Sequence, residues 1–299
     1  MKHNIINDDF ISRLETIALY MQAQMKGYFG GIHRTKAYGS TVEFADFREY
    51  ELGDDIRRID WNLFSRFEKY FIKLFVDERQ MHTQIFLDCS ASMGKTDKRK
   101  AEYAIRLIAA LGFLSVQNMD KTSFMLMQGD YAEDLCGVVT GKEAFYLSTA
   151  DLEEITFSGE TNIEAAITNI HDMSKNDGLS VVISDFLTES NWKKAIDYLL
   201  YHKRQVLVIQ LLSPEEIDPL YNGRTFLRDV EAADIIDDKN MKMRINKANY
   251  LAYKEALKDY IADIRSFCSK RGVRFFSVNT DMPVEELIFG KLMESGDVR

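Results

Sequence analysis

Apolar and polar residues along this chain follow two rhythms, and the change from one to the other divides it. Phe10, Leu14, Ile17, Met21 and Met25 recur every three or four positions, which predicts an amphipathic helix over 9–27. Asn7 or Asp8 is placed to cap it, and Gly27 with Gly30 and Gly31 marks its end. Residues 32–66 lose that period. They mix aromatics such as Phe44, Phe47, Tyr50 and Trp61 with charges of both signs such as Arg48, Asp54, Arg57, Arg58 and Asp60. The aromatics supply area to bury, so the segment reads as a packed, ion-paired connector and not as a disordered one. A run rich in Phe, Tyr, Ile and Val then predicts a strand over 67–77.

From residue 83 a regular beat sets in. Apolar runs predict strands at 83–88, 121–127, 133–139, 179–184, 205–211 and 273–278. Helical patterns fall between them, at 97–118, 142–153, 162–175, 190–202 and 246–270, with a last helix at 284–293. The helix at 97–118 is apolar on most sides (Ala101, Ala104, Ile105, Ile108, Leu111, Leu114), which predicts a buried one. Gly129-Asp130 predicts a tight turn that makes 121–139 a hairpin. Residues 214–245 are less regular, with short strands near 226–234 and 241–245. Strands alternating with helices predict an α/β fold, a doubly wound and mostly parallel sheet covered on both faces. This domain is expected over 80–299, after an N-terminal helical and β extension over 1–79.

Composition narrows the class. Only 3 Pro and 16 Gly leave little material for linkers, and a net charge of −9 argues against a nucleic-acid partner. The densest basic cluster, Lys95, Lys98, Arg99 and Lys100, reads as the solvated first turn of a helix. Cys89, Cys136 and Cys268 form no Cys-x-x-Cys pair, so neither a zinc site nor a disulfide frame is indicated. That fits a reducing cytoplasm. No apolar run has the length of a signal peptide or a membrane span, so no membrane insertion is expected.

The candidate chemistry lies in three loops. Asp88, Ser90 and Ser92 follow the strand at 83–88, Thr161 opens a helix, and Asp185 follows the strand at 179–184. In a doubly wound sheet such loops converge at the carboxyl edge, where ligands bind. Together they offer two carboxylates and three hydroxyls, a hard oxygen set that suits Mg²⁺ or Mn²⁺. If the neutral hydroxyls bind directly and the carboxylates through water, the ion stays electron-poor and keeps a position for an outside carboxylate. Each residue also has a plainer role. Ser90 and Ser92 can cap the next helix, Thr161-x-x-Glu164 fits a capping box, and Asp185 can be an ordinary loop carboxylate. The order of all five on the right loops favours the metal reading. A phosphate-binding loop would need Gly where Cys89 stands. A haloacid-dehalogenase-type phosphatase would need a second acid where Ser90 stands. A dinucleotide site would need Gly-x-Gly-x-x-Gly. A Mg²⁺-dependent hydrolase using Asp88 is the alternative to a binding module. No base, nucleophile and oxyanion set emerges, so a non-enzymatic module is favoured.

The set Asp88-x-Ser90-x-Ser92, Thr161 and Asp185 resembles the metal-ion-dependent adhesion site of von Willebrand factor A domains. The stretch from Glu43 to Trp61 resembles the signature of the bacterial domain-of-unknown-function family 58. That family joins a short N-terminal region to a von Willebrand A-like, Rossmann-like domain. The resemblance implies Asp88, Ser90, Ser92, Thr161 and Asp185 as ligands of Mg²⁺, or of Mn²⁺ or Ca²⁺. It implies a protein partner whose Asp or Glu completes the coordination, and a site that need not fill without it. It also implies a MoxR-type AAA+ ATPase as the partner in chaperone-like assembly or maturation. Within 43–61 the alternatives are a structural network and a docking surface anchored by Arg57 and Arg58. Glu160, just before Thr161, departs from the family's usual small residue and puts a charge beside the ion. Many members carry two membrane helices near the start; none is evident here, which predicts a short, cytoplasmic form.

Overall fold

The computed structural model describes residues 5–28, 42–77, 81–94, 98–170, 178–188, 190–219, 226–227, 243–244 and 247–292. The chain forms two compact units, one of Leu19–Gln80 and one of Met1–Ala18 with Met81–Arg299. Helix α1 (Asp8–Tyr28) starts where Asn7 accepts the Phe10 N–H on its side-chain oxygen at 2.9 Å. Phe10, Leu14 and Ile17 form its buried stripe, as their spacing predicts. The Met21 and Met25 side chains lie outside the described residues. The helix runs through Gly27 instead of stopping there, because one glycine costs a helix only about 1 kcal/mol.

In the smaller unit, β1 (Val42–Glu49) pairs antiparallel with β2 (Phe71–Asp77), and the register shifts between Phe44 and Asp46. A single 3₁₀ turn at Ile56–Arg58 and helix α2 (Trp61–Phe67) separate them. The expected connector over 32–66 therefore holds a strand and a helix. Asp60 decides the helix: its carboxylate accepts the Asn62 and Leu63 N–H groups at 2.8 and 3.2 Å. The helix ends at Glu68, a left-handed residue (φ 53°), so the predicted strand over 67–77 begins only at Phe71. Phe64 stacks on Tyr70 at 4.6 Å between ring centres, and Arg48 grips Asp54 with two bonds of 2.7 and 2.9 Å.

The larger unit is the predicted α/β sandwich. Its elements are β3 (His82–Asp88), α3 (Lys98–Gln117), β4 (Lys121–Gln128), β5 (Tyr131–Asp134), β6 (Val139–Thr140), α4 (Gly141–Glu153), α5 (Ile163–Thr168) and β7 (Gly178–Ser184). There follow α6 (Trp192–Tyr201), β8 (Arg204–Leu212), α7 (Pro214–Ile217), the short antiparallel pair β9 (Phe226–Leu227) and β10 (Met243–Arg244), α8 (Lys247–Ser269), β11 (Arg274–Asn279) and α9 (Val284–Glu286). The strand order is β11-β8-β7-β3-β4-β5, with β6 also on β4. All pairs are parallel except β4 with β5 and β6. The predicted strand over 133–139 is thus two, broken at Gly137, whose φ of 75° a strand does not accept. The helix predicted over 162–175 ends early, at Thr168, where Asn169 caps it and donates its N–H to the Ala165 and Ile167 carbonyls; residues 171–177 and most of the strands placed near 226–234 and 241–245 lie outside the described residues.

Alternation along the strands sorts the core. Phe86, Met125, Val182 and Val208 share one face with Ile163 and Ile167 of α5, Trp192 and Ile196 of α6 and Ile264 of α8. Ile85, Phe124 and Val181 point to the other face, where Gly112 of α3 lets the Phe124 ring approach its backbone. The chain runs from β3 to β4 in one direction across the sheet and from β7 to β8 in the other. The strand order therefore reverses between β3 and β7, and their carboxyl ends border the crevice where such sheets bind ligands. Among the described residues, no helix is long and apolar enough to cross a membrane.

Candidate metal centre

β3 ends at Asp88 and β7 at Ser184, directly across the reversal point. Asp88 is buried, and its carboxylate keeps two donors in place of water. The Ser90 N–H lies 2.9 Å from Oδ1 and the Ser184 hydroxyl 2.6 Å from Oδ2. Burial and the Asp185 charge together hold the Asp88 carboxyl above its ordinary value, and these two bonds and the nearby Thr161 hydroxyl oppose them. The loop after Asp88 turns once, as a 3₁₀ segment at Ala91–Met93. That turn brings the Ser90 and Ser92 hydroxyls to 3.0 Å from each other. Neither Ser90 nor Thr161 serves as the predicted helix cap. Ser90 makes no side-chain capping bond, and α5 is capped by Asn162, which accepts the Ala165 N–H at 3.2 Å.

The second loop is sewn to the first through the backbone. Ala91 N–H donates to the Gly159 carbonyl (2.9 Å) and Ser158 N–H to the Cys89 carbonyl (2.8 Å). Thr161 is buried there, with its hydroxyl 3.3 Å from the Met127 carbonyl. Glu160 is exposed, while its carbonyl accepts the Gly129 N–H. The third loop is the tightest. Phe186 takes a left-handed conformation (φ 57°) although it is aromatic and buried, a strain of about 1–3 kcal/mol. Four bonds hold it: Phe186 N–H to Ser184 Oγ (2.9 Å), Tyr260 Oη–H to Phe186 O (2.6 Å), Leu187 N–H to Asp185 Oδ1 (2.9 Å) and Gln210 Nε2–H to Asp185 O (3.0 Å). The structure thus brings together all five residues singled out in the sequence.

It also places a residue there that the sequence reading misassigned. Lys100, expected on a solvated turn, is 1 % exposed. Its ammonium donates to Asp185 Oδ2 (2.9 Å), to Glu216 Oε1 and Oε2 (2.8 and 3.0 Å) and to the Ser92 carbonyl (3.3 Å). Burial pulls the ammonium's pKa down, but Asp185 and Glu216 outweigh that and hold it above the ordinary lysine value. A legible signal existed: Lys100, Ala104 and Ile108 are spaced by four, so the lysine sits on the apolar stripe of α3. Glu216 was legible only as half of the capping box at the start of α7, with Ser213. Arg57 and Arg58 lie in the smaller unit on the 3₁₀ turn, Arg57 exposed and Arg58 half-buried. Cys89 is a buried thiol pushed far up by burial and by Asp88, and so is no nucleophile.

Among the described residues, no three His, Cys, Asp or Glu side chains gather as a metal-binding group. What gathers is led by hydroxyls. An octahedral ion with oxygens at about 2.0–2.1 Å sets neighbouring ligand oxygens about 2.9 Å apart. The Ser90–Ser92 pair, at 3.0 Å, is already at that separation. With the buried Thr161 hydroxyl and two buried carboxylates on the adjoining loops, the donor set has the chemistry that suits a small hard cation.

Comparison with known proteins places the chain in a family. The sequence profile of the family described as "Protein of unknown function DUF58" matches residues 46–257. Uncharacterized proteins of Mycobacterium tuberculosis and Mycobacterium bovis are 23% identical over 286 residues, 94% of this chain and 88% of theirs. Among solved structures, the SpRpn10 VWA domain overlaps 70% of this chain and 94% of its own at 10% identity, with a TM-score of 0.39. The manganese-loaded TRAP protein of Plasmodium vivax overlaps 44% of this chain and 57% of its own at 17% identity, with a TM-score of 0.36.

Proposed function

The chain belongs to the DUF58 family, and from that premise we propose that it is a non-catalytic protein-interaction module whose binding site a divalent cation completes. The observation that carries this reading is the pair of Ser90 and Ser92 hydroxyls, 3.0 Å apart at the strand-order reversal, backed by Asp88, Thr161 and Asp185. Ser90, Ser92 and Thr161 would hold the ion directly, and Asp88 and Asp185 would balance its charge. The bound ion supplies an electron-poor centre that attracts a carboxylate. The chain's own residues do the rest. Ser184 and the Ser90 N–H fix Asp88, and Tyr260 and Gln210 hold the Asp185 loop in its strained turn.

The partner presents an Asp or Glu to the ion, and its class is a MoxR-type AAA+ ATPase, which this module serves in assembly or maturation of clients. Arg57 and Arg58 give that partner a second anchor. The module works in the cytoplasm, in keeping with the free thiols of Cys89, Cys136 and Cys268. The test is capture of a purified MoxR-type ATPase with and without Mg²⁺, by wild type, Asp88→Ala and Ser92→Ala. Capture by wild type that drops on chelation, and in both variants, supports the proposal. Equal capture in every arm refutes the metal dependence. Phosphatase activity of the chain itself, lost in Asp88→Ala, would make it a hydrolase instead.

A further inference from the structure

We infer that Lys100 is a built-in counter-ion of the candidate metal centre, which holds Asp185 in the absence of metal and lowers the affinity of the loops for a divalent cation. The inference rests on the metal reading above and concerns the regulation of that same site. Three acceptors use the ammonium fully: Asp185 at 2.9 Å, Glu216 at 2.8 Å and the Ser92 carbonyl at 3.3 Å. Two of the three belong to the ligand loops. Lys100 and Asp185 side chains are each 1% exposed, so water screens the pair little.

Charge then sets the behaviour. Asp185 and Glu216 both set a carboxylate against the ammonium, and Lys100 offsets one of these two negative charges. A cation entering beside Ser90 and Ser92 meets the ammonium across Asp185, where like charges repel far more strongly than in bulk water. A partner's carboxylate restores the missing negative charge. Ion and partner therefore bind best together, and the ion binds weakly alone. Glu216 keeps the lysine in place, because its carboxylate also accepts the Ser213 N–H at 2.7 Å in the α7 capping box. Swinging the lysine out would leave the buried Asp185 carboxylate without its counter-charge, held by the Leu187 N–H alone, which is costly.

The experiment is a Mn²⁺ titration by calorimetry, with thermal unfolding alongside, on wild type, Lys100→Met and Lys100→Arg. Lys100→Met is expected to bind Mn²⁺ about tenfold tighter or more. It should also unfold at lower temperature without metal and recover when Mn²⁺ is added. Lys100→Arg keeps the charge and should stay near wild type. Wild-type binding with no tightening in Lys100→Met overturns the inference and leaves the metal reading standing. Equal tightening in Lys100→Arg also overturns it, since packing and not charge would then be the cause. No Mn²⁺ binding by any of the three overturns the metal reading, and the inference with it. If Lys100→Met is unfolded without metal, refolding by Mn²⁺ supports the inference and failure to refold overturns it.

Discussion

A carboxylate leaves water only where other donors replace it, and at Asp88 the replacement is asymmetric. One oxygen has a backbone N–H from its own loop; the other depends on Ser184, a residue 96 positions away on the neighbouring strand. Ser184 is also the acceptor for the strained Phe186 N–H. Ser184→Ala therefore leaves a buried charge short of a donor and a buried N–H without an acceptor. It should cost roughly 1.5–3 kcal/mol in urea unfolding without metal, and weaken Mn²⁺ binding. A loss below about 0.5 kcal/mol would mean that Ser184 does not hold Asp88. The sequence singled out Asp88 and Asp185 but passed over Ser184, although it stands at the last position of a predicted strand. Nothing local marks a serine as the partner of a distant carboxylate; the parallel register of β3 with β7 does.

At the scale of the element, the two ends of the parallel sheet use polar residues differently. The carboxyl end gathers hydroxyls and carboxylates from three loops. The amino end closes on Arg204, whose guanidinium donates to the His82 and Leu179 carbonyls at 2.6 and 2.7 Å and to Ser180 Oγ at 3.0 Å. This clamp needs β7 to begin with glycine. A Cβ on Gly178 would stand 2.5 Å from the His82 carbonyl oxygen and closer still to the Arg204 guanidinium. Gly178→Ala is expected to cost about 1–3 kcal/mol in denaturant unfolding by crowding a packed site, and a neutral result would show that the clamp can shift. The beat of strands and helices was readable because buried strands and half-buried helices differ in period. The break of 133–139 into β5 and β6 and the short helix α2 were not. Both turn on single residues, Gly137 and Asp60, whose effect is decided by backbone conformation and by capping rather than by hydrophobic period.

Across the whole molecule, two units carry two kinds of candidate contact: an ion site of buried oxygens in one and an arginine-bearing turn in the other. If both serve one partner, they should separate in experiment. Arg57→Glu with Arg58→Glu should reduce capture of the ATPase while leaving Mn²⁺ affinity unchanged, whereas Asp88→Ala should reduce both. Unchanged capture in the double variant would return the 43–61 segment to a purely structural role. The sequence by itself determined the class of fold, the strands that bear the loops and the five oxygen-bearing residues. Periodicity and residue type are local properties and survive without coordinates. Only the tertiary structure decided what surrounds those oxygens. Lys100 reads locally as one of four basic residues at a helix start, and its burial follows from where α3 lays that turn against Asp185 and Glu216. Charge balance in a site is a sum over residues far apart in the chain, and it exists only once the fold has brought them together.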